Sequence, residues 1–166
     1  MEYNNNVIRR QDRLLSNEAA LSLLRTGEYG ILSMIDNRED KEMAYGVPVN
    51  FVWDGKESLY IHCAPEGRKL CCLGKNASVS FCVVGKTKVI SDKFTTAYQS
   101  IILECQAETG LAEDERRKAL HLILEKYSPD HVETGKKYVE RSFGRTNVIK
   151  LNIIRWSGKS KSKRMM

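Results

Sequence analysis

Two hydrophobic rhythms run along this chain. Alternation with a period of two, or a short apolar run bounded by turn residues, marks residues 29–35, 43–53, 58–62, 79–84, 101–109 and 148–154 as strands. Spacing near 3.6 marks helices. Ser16 or Asn17 can cap one whose apolar face is Ala20, Leu21, Leu23 and Leu24 and which Gly27 stops. The clearest helix spans 111–127, with Glu113, Asp114 and Glu115 where a helix N-terminus favours acids and Leu120, Ile123 and Leu124 on one face. Ser128-Pro129-Asp130 ends it, and Thr134 can cap a shorter helix that runs to residue 141. Another short helix, over 65–74, would open on Pro65, whose missing N–H costs nothing at a first helical position.

The loop 36–41 and the Asp54-Gly55 turn join the first three strands into an antiparallel meander. A polar loop covers 85–93, and 94–100 feeds the long strand that follows. There is no internal repeat and no second domain boundary. The pattern predicts one mainly β domain over 1–158 with inserted helices, an antiparallel, Greek-key-like barrel rather than a parallel βαβ sheet.

At 166 residues the chain is long enough to bury a core without staples. Its net charge of +6 raises nucleic acid as a partner, but much of the excess lies in Lys159, Lys161, Lys163 and Arg164. These residues read as a short, mobile basic tail over 159–166. No helix-turn-helix, zinc-finger or RNP-like pattern accompanies them, which argues against nucleic acid. No apolar run is long enough to span a bilayer and the N-terminus does not read as a signal peptide, so a cytoplasmic protein without a membrane partner is expected. Five cysteines, Cys63, Cys71, Cys72, Cys82 and Cys105, lack C-x-x-C spacing and sit in apolar segments. They read as reduced, packed thiols, and no metal site is expected.

Few catalytic signals stand out. The chain has no G-x-S-x-G elbow, Walker A loop or G-x-G-x-x-G fingerprint. Arg68 and Lys69 are less ordinary, because cations in a first helical turn oppose the helix dipole. They form either a solvated helix start or, with free backbone N–H groups, a phosphate site. His62 ends a strand, and it is either a partly buried histidine satisfied by backbone or a functional one. His121 and His131 read as structural. Pro48, inside a strand, predicts a local deformation that frees backbone for a planar ligand or serves as a barrel corner.

Three segments carry a resemblance: Tyr45-Gly46-Val47-Pro48-Val49-Asn50-Phe51; Leu59-Tyr60-Ile61-His62-Cys63-Ala64 with Gly67-Arg68-Lys69-Leu70; and Phe94-Thr95-Thr96 with Tyr98 and Ser100. Together they resemble the pyridoxamine 5'-phosphate oxidase-like FMN-binding split barrels, and most of all the Nim-type 5-nitroimidazole resistance proteins. The resemblance covers 7–159. It implies a split β-barrel that binds FMN, with Arg68 and Lys69 on the phosphate and Cys63 beside it. It further implies Val49 and Asn50 along the isoalloxazine edge, Ser100 at the ring or ribityl chain, and His62 by the flavin as the catalytic candidate. A homodimer with FMN at the subunit interface is implied too, and Trp156 would reach the site from the partner. The implied activity is an oxidoreductase that carries electrons from a nicotinamide donor to a small planar acceptor such as a nitroimidazole or another nitroaromatic. The alternative is a non-catalytic flavin- or haem-binding protein. Two departures stand out. Cys105 occupies a position where many relatives carry glycine, and the Arg155-Trp156-Ser157 ending lacks the arginine-rich motif of enzymes acting on vitamin B6.

Overall fold

A computed structural model describes residues 1–6, 8–39 and 41–161. Among these the elements run β1 (Glu2–Tyr3), α1 (Asn17–Thr26), β2 (Tyr29–Glu39), β3 (Lys41–Asn50), β4 (Val52–Trp53), β5 (Ser58–Cys63), α2 (Arg68–Lys75), β6 (Ser78–Val84), β7 (Lys88–Ile90), β8 (Thr95–Glu108), α3 (Glu113–Tyr127), α4 (Val132–Ser142) and β9 (Asn147–Lys161). Ser16 caps α1 by accepting a bond from the Ala19 N–H, and the Gly27 N–H closes the helix on the Leu23 carbonyl. The buried face of α1 is Ala20, Leu23 and Leu24, three of the four residues its spacing predicts.

The strands form a largely antiparallel sheet in the order β3-β2-β6-β8-β9-β5-β4; β1 adds in parallel to β9, and β7 pairs with β8. β3 and β4 adjoin in sequence but lie at opposite ends of this path. The chain crosses from one end to the other at Phe51, which curls the sheet into a split barrel whose hydrogen-bond ladder does not close. Phe51 is fully buried at that crossing, edge-on to Phe81 with ring centroids 5.1 Å apart. The strand expected over 43–53 therefore breaks at Phe51 and not at Pro48. Pro48 stays in β3 opposite Ile31, and β3 is an edge strand, where a missing donor is tolerated. The expected meander is also only partial, because β5 pairs with β4 and β9 rather than with β3.

Inward-facing Leu32, Met34, Phe81, Ile101, Leu103 and Leu151 fill the barrel together with the apolar face of α1. A second apolar cluster, including Val52, Tyr60, Leu120, Val139, Phe143 and Val148, seats the α3–α4 pair on the outer side of β4, β5 and β9. Burying each large side chain here contributes about 1.5–3 kcal/mol. Trp156, expected to reach a partner's site, is instead 2% exposed in its own barrel and packs edge-on to Tyr3 at 4.8 Å. β9 is longer than the alternation over 148–154 predicts and pairs with β8 as far as Lys161 opposite Tyr98. Lys159 and Lys161 thus belong to the sheet and not to a tail, while Lys163 and Arg164 lie outside the described residues. No disulfide joins the described cysteines; Cys72 and Cys105 are buried as expected, but Cys71 is exposed. No described helix is long and apolar enough to cross a membrane.

Candidate functional site

The site is built at the corner between β5 and α2. Ser58 and Tyr60 face the α3–α4 layer, and Leu59 and Ile61 face the barrel interior. Strand parity therefore sends His62 to the helical side and Cys63, half-buried, to the interior side. The chain then bends into α2, which starts at Arg68 and not at Pro65. Gly67 is its N-cap at φ +135°, a conformation that L side chains rarely adopt, and a Cβ there would meet open space. The strain of that bend, rather than the fixed φ of Pro65, decides where α2 begins.

Lys69 in the first turn of α2 lies close enough to influence both His62 and Cys63. Burial first, then the Lys69 charge, lower the pKa of His62, although part of the ring still meets solvent. At neutral pH the ring is thus uncharged, with one N–H donor and one acceptor nitrogen. Burial raises the pKa of Cys63 against the opposing influence of Lys69, which keeps it a thiol.

Arg68 points elsewhere. Its Nε donates to Asp36 Oδ2 at 2.8 Å, and its guanidinium lies over the Tyr45 ring at 3.9 Å. Asp36 is 5% exposed, whereas the Arg68 side chain keeps 44% of its surface. The pair holds Nε on the inner edge of the guanidinium and leaves its outer edge open to solvent. The start of α2 has no acid in its first turn and no side-chain cap. Backbone N–H groups, Lys69 and the outer edge of Arg68 thus make a cationic lip that suits a phosphate.

Between His62 and the α3–α4 pair lies a cleft of about 510 Å³. Leu120, Ile123, Leu124 and Val139 give it apolar walls, and Tyr127, Tyr138, Thr134 and His131 supply polar edges. His131, expected to be structural, is exposed and lines this wall. The far end is pinned by the last turn of α3. The Phe51 N–H donates to Tyr127 Oη at 3.1 Å, and that hydroxyl lies within reach of the Phe51 and Glu28 carbonyls, with one proton to give. Lys126 Nζ donates to the Gly27 and Phe51 carbonyls at 2.6 and 2.8 Å and sits 4.0 Å over the Phe51 ring. Burial lowers the Lys126 pKa to about 8. Asn50 is at this end, donating to the Glu28 carbonyl at 2.9 Å, while Val49 packs half-buried against the core. Among the described residues no group of three His, Cys, Asp or Glu side chains could hold a metal.

The sequence pattern of the pyridoxamine 5'-phosphate oxidase family matches residues 16–160. The chain belongs to that family. Solved structures agree on the fold: a candidate 5-nitroimidazole antibiotic resistance protein of Bacteroides thetaiotaomicron is 20% identical with a TM-score of 0.70, over 89% of this chain and 85% of that one. An FAD and heme binding protein of Mycobacterium smegmatis is also 20% identical, with a TM-score of 0.75 over 90% and 73%. A flavocytochrome of Azotobacter vinelandii is 18% identical, with a TM-score of 0.72 over 89% and 68%. No curated protein matches the chain.

Within this pyridoxamine 5'-phosphate oxidase-family chain, the residues singled out in the sequence do not all meet. His62, Cys63 and Lys69 share one corner, Arg68 adjoins it, and Asn50 lies behind Tyr127, on the Glu28 carbonyl that both side chains reach. Ser100 stands apart. It pairs with Lys159 on β9, whereas His62 pairs with Val148 eleven residues away, roughly 35 Å of strand. Asp36, Tyr45, Tyr127 and His131 escaped the sequence reading. Asp36 fell in the charged segment expected as a loop, whereas β2 runs on through it to Glu39; for the others too the tertiary fold alone supplies the role.

Proposed function

We propose that the protein is an FMN-dependent oxidoreductase that takes electrons from a nicotinamide donor and delivers them to a small planar acceptor, nitroimidazoles or other nitroaromatics being the class that fits. What carries this reading is the joining of a cationic lip to a mostly apolar cleft through one histidine. Lys69, the outer edge of Arg68 and the first N–H groups of α2 would hold the phosphate, with Cys63 beside it. When bound, FMN supplies the hydride acceptance and electron transfer that no side chain here can perform. His62, uncharged at neutral pH, would donate a hydrogen bond to the acceptor or pass it a proton at an imidazole nitrogen. Leu120, Ile123 and Leu124 would exclude water from the flat faces of the acceptor.

Asn50 shares the Glu28 carbonyl with Tyr127, a residue of the cleft wall, which favours its placement along the ring edge, while Val49 packs against the barrel core beside it. Ser100 cannot join His62 on one mononucleotide within a single chain, so its role requires a second copy, and the reading is therefore of a homodimer with sites lined by both chains. Five cysteines without a disulfide among them fit a reducing compartment, the cytoplasm.

A second reading follows from the two imidazoles, His62 and His131, that line the cleft: a haem-binding protein on the same fold. The absorbance spectrum of the purified protein separates the two. Flavin bands that bleach on anaerobic addition of NADH or NADPH and return with a nitroaromatic support the oxidoreductase. A Soret band, or a flavin that never bleaches, would overturn it.

A further inference from the structure

The end of the sheet opposite His62 carries a pocket that the proposed chemistry does not use. Lys86, Thr87, Lys88, Tyr98 and Lys161 line a concavity of about 230 Å³. Its shape is set by a tight turn. The Gly85 N–H bonds the Gln99 carbonyl at 2.8 Å, and a Cβ on Gly85 would come within 3.0 Å of Leu23 Cδ1. That close approach folds Lys86-Thr87-Lys88 back beside β8, where Lys88 pairs with Ala97, while Lys161 arrives on β9 opposite Tyr98. No carboxylate lines the pocket, and among the described residues none of the three lysines is ion-paired; the Lys161 ammonium donates to Thr95 Oγ1. Three like charges gathered by separate elements repel one another unless an anion joins them. One phosphate would satisfy fewer ammonium groups than two linked phosphates, and half-buried Tyr98 adds a flat surface for a base.

We infer that this lysine pocket binds the pyrophosphate of a dinucleotide. Tyr98 lies two residues from Ser100, about 7 Å along β8. Given the two-chain flavin site proposed above, on which this placement rests, the dinucleotide lies beside the flavin of the partner copy. It is then either the nicotinamide donor or the adenylate-bearing form of the flavin itself. Nucleic acid, the other polyanion such a surface attracts, is disfavoured by the small concave shape.

The test is the purified protein against a variant with Lys86→Gln, Lys88→Gln and Lys161→Gln, both titrated calorimetrically with ADP-ribose. The variant should bind about tenfold or more weakly, the effect of losing even one charge-assisted contact, with its FMN content unchanged. A matching rise in KM for NADH or NADPH identifies the donor as the occupant; weakened FAD binding with KM unmoved identifies the flavin. Equal affinity in both proteins, or no binding to the parent, overturns the inference. So does a loss of duplex DNA binding while ADP-ribose affinity holds. If the protein carries no flavin yet ADP-ribose still binds through the lysines, the pocket stands and the flavin reading falls.

Discussion

His62 matters through the proton it does not hold at neutral pH. Its pKa in the folded protein lies below the ordinary value near 6.5, so the unfolded chain binds a proton first as pH falls. The stability this residue contributes is whole above about pH 6.5 and is lost as pH drops below it. The Tm difference between parent and His62→Gln should thus shrink on acidification; a difference independent of pH would place the ring in an environment no different from water. The same variant should retain flavin while acceptor reduction slows about 100-fold, the lower range for losing a general acid. An unchanged kcat would remove His62 from the reaction. Arg68 and Lys69 need separate treatment. Lys69→Ala removes charge from the lip alone, whereas Arg68→Ala also releases Asp36 and Tyr45, so stability falls with it. Lys69→Ala should weaken flavin retention with the Tm of the flavin-free protein unchanged, and the double Arg68→Ala, Lys69→Ala variant should purify folded and colourless. Stoichiometric flavin in the double variant would refute the phosphate assignment.

At the scale of elements, the strands and the caps of α1 were legible because alternation and capping are local. Ser16 and Gly27 each act within a few residues. The break between β3 and β4 was not, because its cause lies elsewhere in the chain. Pro48 is the local irregularity, yet the strand runs through it and breaks at Phe51, whose backbone is held by Lys126 and Tyr127 from α3. For the same reason the Pro65 signal yielded to Gly67, whose positive φ only the folded bend demands. The pin is testable. Tyr127→Phe keeps the ring but leaves the buried Phe51 N–H without its acceptor, a loss of about 1–3 kcal/mol read from urea unfolding. The Lys126 bonds to the Gly27 and Phe51 carbonyls remain, so the fold should persist. An unaltered midpoint would mean that the hydroxyl does not hold the crossing.

For the whole molecule, the motifs that carried the family resemblance were legible as residues but not as a site, because spacing along a chain does not say which copy supplies which contact. The proposed two-chain site rests on topology: Ser100 and His62 are separated along β9, so a flavin touching both would span two chains. The face that would meet the second copy can be read from register. Ser100 and Ile102 alternate with buried Ile101 and Leu103 and so point outward together. Across the sheet, Pro48, Ile31, Cys82 and Ile102 form one outward row. Ile102 is 49% exposed, with Val84 at 52% and Ile154 at 60% on the neighbouring outer surface. Apolar exposure of this kind on a continuous sheet face suits burial against another copy. Ile102→Glu places a charge in that row without altering Lys69, His62 or the cleft. Sedimentation or size-exclusion should then show a dimer becoming a monomer, and the monomer should lose its flavin because each site loses its Ser100 side. A variant that stays dimeric would exclude this face as the interface. A monomer that keeps its flavin would show that a single chain completes the site.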